Sequence, residues 1–190
     1  MRVLFIDNFD SFTYNLVEEF EKRDNQVLVY RNNISMEKLD KIITDFEPQL
    51  ITLSPGPSTP EEAGICVELV QEYYQKIPIW GICLGYQCIV EAFDGKIAEC
   101  EEKFHGKASI IQHNEKNFLE GIENPIQVGR YHSLSAAHIP EEFVVASEIR
   151  DIPMAVYHKN YPIYGVQFHP ESILTPVGGQ IVENIIRRNR

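Results

Sequence analysis

The sequence is poor in positive charge. Only 17 Lys and Arg residues stand against 28 Asp and Glu residues, which gives a net charge of −11 when the six histidines are neutral. A nucleic-acid-binding face needs clustered Lys and Arg to contact phosphates, and binding to anionic lipid needs the same charge. The composition therefore predicts a protein with neither a nucleic-acid partner nor a membrane partner.

Long apolar runs and closely spaced cysteines are also absent. No run approaches the ~20 residues of a membrane span, and the apolar stretch at the start ends at Asp7, too soon for a signal-peptide core. The four cysteines are Cys66, Cys83, Cys88 and Cys100. They form no CxxC pair and no zinc-finger spacing with histidine, so we expect reduced thiols, a cytoplasmic protein and no bound metal.

The first half of the chain alternates strand and helix patterns. Short apolar runs predict strands at residues 2–7, 26–30, 50–53 and 79–82. Apolar residues at helical spacing predict helices at residues 12–20, 36–46, 66–74 and 84–93. Such alternation is typical of βαβ units that build a parallel sheet.

From about Gly95 the pattern changes to shorter strands, predicted at residues 95–113, 126–131, 144–147 and 155–158. The turns between them are rich in Gly, Pro and Asn, which indicates an antiparallel extension of the sheet, and a last helix follows near residues 177–186. With 190 residues, 44% hydrophobic and 24% charged, the chain has the size and composition of one globular domain. We predict a single domain over residues 1–190 with an α/β fold, an open, mixed, mainly parallel sheet and helices on both faces.

The segment from Ile79 to Gln87 has the form strand, Gly-x-Cys-x-Gly, helix, which is the cysteine version of a nucleophile elbow. Gly81 and Gly85 remove side chains that would crowd the sharp turn. At a helix N-terminus, Cys83 gains unpaired N–H groups and a dipole that favour a thiolate. The N–H of Leu84 then points towards a developing oxyanion. The alternative is a buried structural thiol, because free cysteine is among the most buried residue types.

A second polar segment contains His169 and Glu171. If these residues continue a strand, their side chains project to the same side, and the carboxylate can orient an imidazole that takes a proton from Cys83. The alternative is a surface histidine beside a solvated glutamate.

Two loops complete the candidate site. Residues 54–60 directly follow the third predicted strand, where ligands bind in open α/β sheets, and Gly56 can offer a second oxyanion N–H. The alternative there is a rigid proline turn without a ligand. In the segment 129–134, Ser133 and its neighbouring backbone are candidates to bind the carboxylate or ammonium of an amino acid.

Taken together, these segments resemble those of the class I glutamine amidotransferases, which use a Cys-His-Glu triad. The resemblance covers essentially the whole chain and rests on SPGPSTP at 54–60, GICLGYQ at 81–87 and FHPES at 168–172, in the family's order. Further segments are similar to the small amidotransferase subunits of chorismate-using synthases: DNFDSFTYNLV at 7–17, FHGKAS at 104–109, RYHSL at 130–134 and ESILTPVGGQIVENII at 171–186.

The resemblance implies a flavodoxin-like core and an enzyme that hydrolyses L-glutamine through a Cys thioester. It implies Cys83 as the nucleophile, His169 as the base and acid, and Glu171 as the orienting carboxylate. It places the oxyanion hole at Gly56 and Leu84. The implied contacts with glutamine are Gly56, Pro57, Ser58, Gln87, Ser133 and Leu134.

Such subunits, component II of anthranilate synthase or aminodeoxychorismate synthase, pass ammonia to a chorismate-binding partner, component I. No cofactor is implied for this chain, and the partner synthase is expected to use Mg²⁺. Two residues depart from the family's commoner pattern: Tyr86 stands where His is usual, and Ser58 where Gly is usual.

Three alternatives stay open at this point. A γ-glutamyl hydrolase or cysteine peptidase would act without a partner, and the FHPES segment disfavours it. A non-catalytic α/β interaction module would form no thioester, and the set of Cys83, His169 and Glu171 disfavours that. An amidotransferase of another pathway, such as imidazole glycerol phosphate, carbamoyl phosphate or guanylate synthesis, is disfavoured by the HGK and DNFDSF segments.

Overall fold

The computed structural model describes residues 1–190. The strands are β1 (Arg2–Asp7), β2 (Gln26–Arg31), β3 (Leu50–Leu53), β4 (Ile79–Ile82), β5 (Lys96–Glu99), β6 (Lys107–His113), β7 (Ile126–Arg130), β8 (Leu134–His138), β9 (Phe143–Ile149), β10 (Ile152–His158) and β11 (Ile163–Val166). The α-helices are α1 (Thr13–Glu21), α2 (Met36–Phe46), α3 (Cys66–Tyr73), α4 (Leu84–Ala92) and α5 (Gly178–Arg188). No helix is both long enough and apolar enough to cross a bilayer.

Nine strands form one sheet in the order β2-β1-β3-β4-β11-β10-β9-β6-β7, and β5 pairs with β8 separately. The strands from β2 to β11 in this order pair in parallel, and the neighbours beyond β11 are antiparallel. The predicted mixed sheet with an antiparallel extension is confirmed. Ligand sites in open α/β sheets lie beyond the carboxyl ends of the parallel strands, which here are the ends of β1, β3, β4 and β11.

The alternation of side chains along β1 explains why helices cover both faces. Val3 and Phe5 pack with α1 and α5 on one face, whereas Leu4 and Ile6 pack with α2, α3 and α4 on the other. All four side chains are fully buried. A strand that is apolar on both faces needs cover on both faces, so the near-continuous apolar run predicted this layering. That residues 1–190 form a single domain stays a prediction.

Two predictions about the second half need correction. The continuous strand predicted at 95–113 is wrong, because residues 100–106 leave the strand conformation between β5 and β6. In that segment the backbone N–H of Cys100 donates to Ser133 and that of Gly106 to Arg130, and Gly106 has a positive φ of 73°. The sequence pattern also missed β8 (Leu134–His138), whose small and polar residues lack the β-branched and aromatic side chains that mark strands.

Candidate active site

Cys83 sits on a strained turn between β4 and α4. Its φ of 52° and ψ of −105° lie in a region that non-glycine residues rarely adopt. The backbone N–H of Cys83 donates to the carbonyl of Val166 at 2.8 Å, so the neighbouring strand β11 holds the turn. Cys83 immediately precedes the first turn of α4, whose N–H groups have no acceptor within the helix. The structure thus provides the elbow that the sequence predicted.

Gly81 and Gly85 allow this turn by close backbone contact. A methyl group on Gly81 would stand 2.4 Å from the carbonyl oxygen of Gly85, and one on Gly85 would stand 2.3 Å from that of Leu53. Real Cβ atoms do not approach other heavy atoms so closely, so a side chain at either position would force the backbone apart. The two glycines therefore bring α4 against β3 and place Cys83 at the carboxyl end of the sheet.

The predicted oxyanion residues Gly56 and Leu84 lie side by side. A methyl group on Gly56 would be 3.0 Å from Cδ2 of Leu84 and 2.5 Å from the backbone oxygen of Asn8. Buried Asn8 holds this loop, because its backbone N–H donates to Ser54 Oγ at 2.8 Å and its Nδ2 donates to the Ser54 carbonyl at 2.7 Å. Asn8 at the end of β1 therefore fixes a loop that follows β3.

His169 and Glu171 form a buried pair, with His169 Nδ1 at 2.5 Å from Glu171 Oε1. The expected strand geometry is wrong in detail, since β11 ends at Val166. His169 is held instead by backbone contacts: its N–H donates to the Gly129 carbonyl at 3.0 Å, and its carbonyl accepts from Thr175 Oγ1 at 2.7 Å. The pairing that the sequence predicted is therefore present, but His169 is held by contacts with β7 and with Thr175 before α5 rather than by β11.

The surroundings of His169 favour its protonated form. Burial lowers the pKa of His169, but the interactions with Cys83 and Glu171 raise it by more than burial lowers it. The pKa of His169 therefore lies well above its usual range. Nε2 of His169 and Oε2 of Glu171 are buried and have no hydrogen-bond partner. An imidazole whose Nδ1 is held by a carboxylate can take a thiol's proton at Nε2, and the raised pKa favours the resulting imidazolium, which can return the proton to a leaving group.

The residues predicted to contact glutamine surround this centre. Gly56, Pro57 and Ser58 are half-buried or exposed on the loop after β3. Gln87 is buried in α4, and its Nε2 donates to the carbonyl of Leu134 at 3.1 Å. Ser133, which precedes Leu134, is half-buried, and its carbonyl accepts from the backbone N–H of Cys100 at 2.8 Å.

A cleft of about 230 Å³ opens on the pair of His169 and Glu171. It is lined by Phe12, Asn15, Tyr131, His169, Glu171, Ser172 and Ile173. The Tyr131 ring lies 4.8 Å from the imidazole of His169, and its hydroxyl is 3.0 Å from Ser172 Oγ. A larger cleft of about 810 Å³ lies beside α5 and contains none of the predicted site residues. The smaller cleft is the one that contains His169 and Glu171, and Cys83 is not among the residues that line it.

Comparison with known proteins decides the family. The model of the family described as glutamine amidotransferase class-I matches residues 4–189. The chain belongs to the class-I glutamine amidotransferases. It is therefore a glutamine amidotransferase, and the resemblance noted in its sequence is confirmed.

Curated relatives cover nearly the whole chain. Anthranilate synthase component 2 of Haemophilus influenzae is 45% identical over 184 residues, which span 97% of this chain and 95% of that protein. Aminodeoxychorismate/anthranilate synthase component 2 of Bacillus subtilis is 41% identical, with 99% and 97% covered. The crystal structure of a glutamine amidotransferase from Thermotoga maritima has a TM-score of 0.76 at 13% identity, covering 99% of this chain and 97% of that one. The last likeness supports the fold.

The two departures from the amidotransferase pattern have different structural settings. Ser58 has a positive φ of 76°, a conformation that glycine adopts at less cost than serine. Tyr86 is fully buried and packs on Gly165, where a methyl group would stand 2.5 Å from the Tyr86 ring. Burial raises the pKa of Tyr86, so its hydroxyl stays protonated. Neither residue contacts the triad through a hydrogen bond.

Two further residues around this amidotransferase site were not predicted from the sequence. His132 is buried, and its Nδ1 lies 2.9 Å from the carbonyl of Leu134, to which Gln87 also donates. Burial, with a further contribution from Arg130, lowers the pKa of His132 to about 4 and keeps the ring neutral. Gln167 is fully buried, and its Nε2 lies 3.7 Å from Cys83 Sγ. Gln167 directly follows the apolar strand β11, and this position, which predicts a buried side chain, is the sequence feature that could have identified it.

The pair of His169 and Glu171 predicts a pH dependence of stability. The folded-state pKa of His169 is raised, so the stability that its charged form contributes is complete below the unfolded-state value of about 6.5 and is lost as pH rises through the folded-state pKa. Glu171→Gln removes the anionic partner. We expect the difference in unfolding free energy between wild type and Glu171→Gln to be larger at pH 6 than at pH 9 in urea titrations. A difference that is constant across this range would contradict the assignment.

Proposed function

We propose that this chain is the glutamine-hydrolysing subunit of a chorismate-using synthase and that it delivers ammonia to a separate chorismate-binding subunit. The hydrolytic part rests on two observations: Cys83 stands on a strained elbow, and His169 and Glu171 form a buried pair whose imidazole interacts with Cys83. No group of three or more His, Cys, Asp or Glu side chains is arranged to hold a metal ion. The proposed chemistry in this chain uses side chains and backbone N–H groups.

In the proposed mechanism, Cys83 transfers its proton to Nε2 of His169, and the thiolate attacks the side-chain amide carbon of L-glutamine. The N–H groups of Gly56 and Leu84 hold the oxyanion. The His169 imidazolium, stabilised by Glu171, protonates the leaving ammonia and leaves a γ-glutamyl thioester. Water that His169 activates then attacks the thioester, and glutamate and the Cys83 thiol are released.

The proposed substrate contacts divide into two groups. Gly56, Pro57 and Ser58 approach glutamine from the loop after β3. Gln87, Ser133 and Leu134 approach from the opposite side, where His132 and Gln87 both hold the Leu134 carbonyl.

The chorismate assignment rests on the names of the relatives and on the quoted sequence segments. The relatives from Haemophilus influenzae and Bacillus subtilis are each called component 2, which implies a component that they serve. We propose that this chain likewise serves a component 1, which binds chorismate and uses Mg²⁺, to make anthranilate, aminodeoxychorismate or both. The four free, buried cysteines support a reducing, cytoplasmic location.

The proposed face for the partner is the apolar rim of the cleft. Phe12 is 51% exposed and Ile173 is 93% exposed, although both are large apolar side chains beside the catalytic pair. Cys83 is only 6% exposed, and Tyr131 covers His169. We propose that a partner seated on this rim shifts the cover and retains the ammonia, so that the isolated chain hydrolyses glutamine slowly.

The decisive experiment measures glutamate release by the chain alone and with component 1 of anthranilate synthase from Haemophilus influenzae, with and without chorismate. We expect slow release alone and an increase of about tenfold or more with the partner, because closure of a site commonly completes its geometry. The same assay with an aminodeoxychorismate synthase component 1 distinguishes the two pathways. Fast hydrolysis that no partner changes would favour a γ-glutamyl hydrolase instead.

The partner face gives a separate prediction. Ile173→Asp places a charge at the centre of the proposed apolar rim, and we expect the dissociation constant with component 1 to rise about tenfold or more, since burying an unpaired charge is costly. Ile110→Asp is the matched control, because Ile110 is also exposed but lies on β6 outside the cleft. Calorimetric titration measures both. Equal dissociation constants for the two variants would show that the partner does not bind at this rim.

A further inference from the structure

The sheet register places Gln167 beside the nucleophile. β4 and β11 are parallel neighbours in which Ile82 lies opposite Val166. Cys83 and Gln167 directly follow the ends of these two strands, and the Cys83 N–H donates to the Val166 carbonyl between them. Gln167 therefore lies directly beside the elbow, and its Nε2 is 3.7 Å from Cys83 Sγ.

The hydrogen bonds give the Gln167 amide a defined direction. Gln87 Nε2 donates to Gln167 Oε1 at 3.1 Å and to the Leu134 carbonyl at 3.1 Å, so both of its protons are used. With its oxygen occupied as an acceptor, Gln167 presents Nε2 to Cys83 Sγ at 3.7 Å. A chain of amides thus runs from the Leu134 carbonyl through Gln87 and Gln167 to the reacting sulfur.

A simple packing role does not account for this arrangement. Gln167 is fully buried, and burying a carboxamide costs free energy unless it is hydrogen-bonded. A neutral thiol is a weak acceptor, whereas a hydrogen bond to an ionised group is about twice as strong as a neutral one. The contact between Gln167 Nε2 and Cys83 is therefore most stabilising when the sulfur carries a negative charge.

We propose that Gln167 is a catalytic residue that stabilises the Cys83 thiolate by donating a hydrogen bond from Nε2, and that Gln87 is the positioning residue that orients this donor. The inference rests on the proposed role of Cys83 as the nucleophile. When the thioester forms, the sulfur loses its charge and the contact weakens, so the bond acts on the attacking state. Because Gln87 also holds the Leu134 carbonyl, the same amide chain connects the nucleophile to the proposed glutamine contacts.

The test measures alkylation of Cys83 by iodoacetamide as a function of pH, with the modified residue quantified by peptide mass spectrometry. Gln167→Met keeps the length of the side chain but removes the donor. We expect the pH midpoint of alkylation to rise by about half to one unit, and the rate at pH 7 to fall about 3- to 10-fold, because a bond to the charged form is lost. In the glutaminase assay with component 1, kcat falls while KM changes little.

A second variant keeps the proposal testable if Gln167→Met does not fold. Gln167→Glu retains an acceptor for Gln87 and nearly the same volume, but replaces the donor by a carboxylate. We expect a larger rise of the alkylation midpoint, since a negative charge beside the sulfur opposes ionisation. Asn184→Leu is the control for general destabilisation. Asn184 is also a buried amide, but it bonds to the carbonyls of Phe118 and Glu120 beside α5.

The outcomes separate this proposal from the proposed function. An unchanged alkylation midpoint in both Gln167 variants would overturn the role of Gln167, even if wild type releases glutamate rapidly with its partner. A midpoint that rises equally in Asn184→Leu would also overturn it, since the shift would then follow from destabilisation. A raised midpoint confined to the Gln167 variants, in a protein that never hydrolyses glutamine, would support the contact with the sulfur but refute the function.

Discussion

Replacing Cys83 by Ala is expected to abolish glutamine hydrolysis, with a loss of about a thousandfold or more, because covalent catalysis cannot proceed without its nucleophile. The site otherwise persists, since the backbone of the elbow is held by Val166 and by the contacts of Gly81 and Gly85. Glutamine binding should survive the loss of one sulfur atom. Two measurements test the role of Cys83. One is glutamate release with component 1 present, and the other is detection of the γ-glutamyl thioester in wild type by mass spectrometry.

Cys88→Ala is the matched control for the Cys83 variant. Cys88 is also a buried thiol on α4, but a contact with Cys66 and burial raise its pKa, so it stays protonated. We expect hydrolysis to remain within about threefold of wild type, since the substitution removes one buried sulfur atom outside the triad. In addition, the complex of Cys83→Ala with component 1 should still use ammonium salts at alkaline pH. Hydrolysis that survives in Cys83→Ala would refute the thioester route.

Replacing Gly178 by Ala is expected to destabilise the protein by about 3 kcal/mol or more, because overpacking against backbone cannot be relieved by rotating a side chain. A methyl group on Gly178 would stand 1.7 Å from the carbonyl oxygen of Pro170. Pro170 connects His169 to Glu171, so relief of the clash must move this pair, which we propose to be catalytic. We expect kcat to fall more than tenfold even where the variant remains folded, because misplacement by about 1 Å is that costly.

Gly179→Ala is the neighbouring control within α5. Its methyl group would meet chiefly the end of the Arg23 side chain, with Nη2 at 2.9 Å, and that group is flexible. Gly179 is the second residue of α5, where alanine gains only part of the roughly 1 kcal/mol that it gains over glycine in a helix interior, so we expect near-neutral stability and wild-type activity. Urea unfolding and the coupled glutaminase assay measure both variants. Equal stabilities for the two alanines would show that Gly178 is not a packing point for the His169 loop.

Local sequence patterns were sufficient to predict the strands and helices of the parallel half of the fold and the turn at Cys83. The bounds of β1, β3 and β4 match their predicted runs. A strand that is buried on both faces must be apolar throughout, and a sharp strand-to-helix turn must lack side chains on either side of its nucleophile. Both requirements act within a few residues, so a single sequence displays them. The antiparallel half was harder to predict from the sequence, because β5 and β8 are short and carry exposed residues.

The pairing of His169 with Glu171 was predicted for an incomplete reason. The residues meet, but Gly129 and Thr175 impose the geometry from outside the strand. A two-residue spacing suggested that the side chains share a face of one strand, and in the structure a bridge to β7 and a bond from Thr175 hold His169 instead. The contact between Gly129 and His169 joins residues that are far apart along the chain, and nothing in the local sequence marks it.

By itself the sequence determined the family and the order of strands and helices in the first half, and it predicted a set of reactive residues, since each depends on short segments and their order. Only the tertiary structure decided how those residues are supported. The amide chain through Gln87 and Gln167 joins positions 80 residues apart, and the ring of Tyr131 covers His169 from a different loop. A glutamine or tyrosine acquires such a role from its neighbours in space, and these are set by strand register and packing rather than by spacing along the chain.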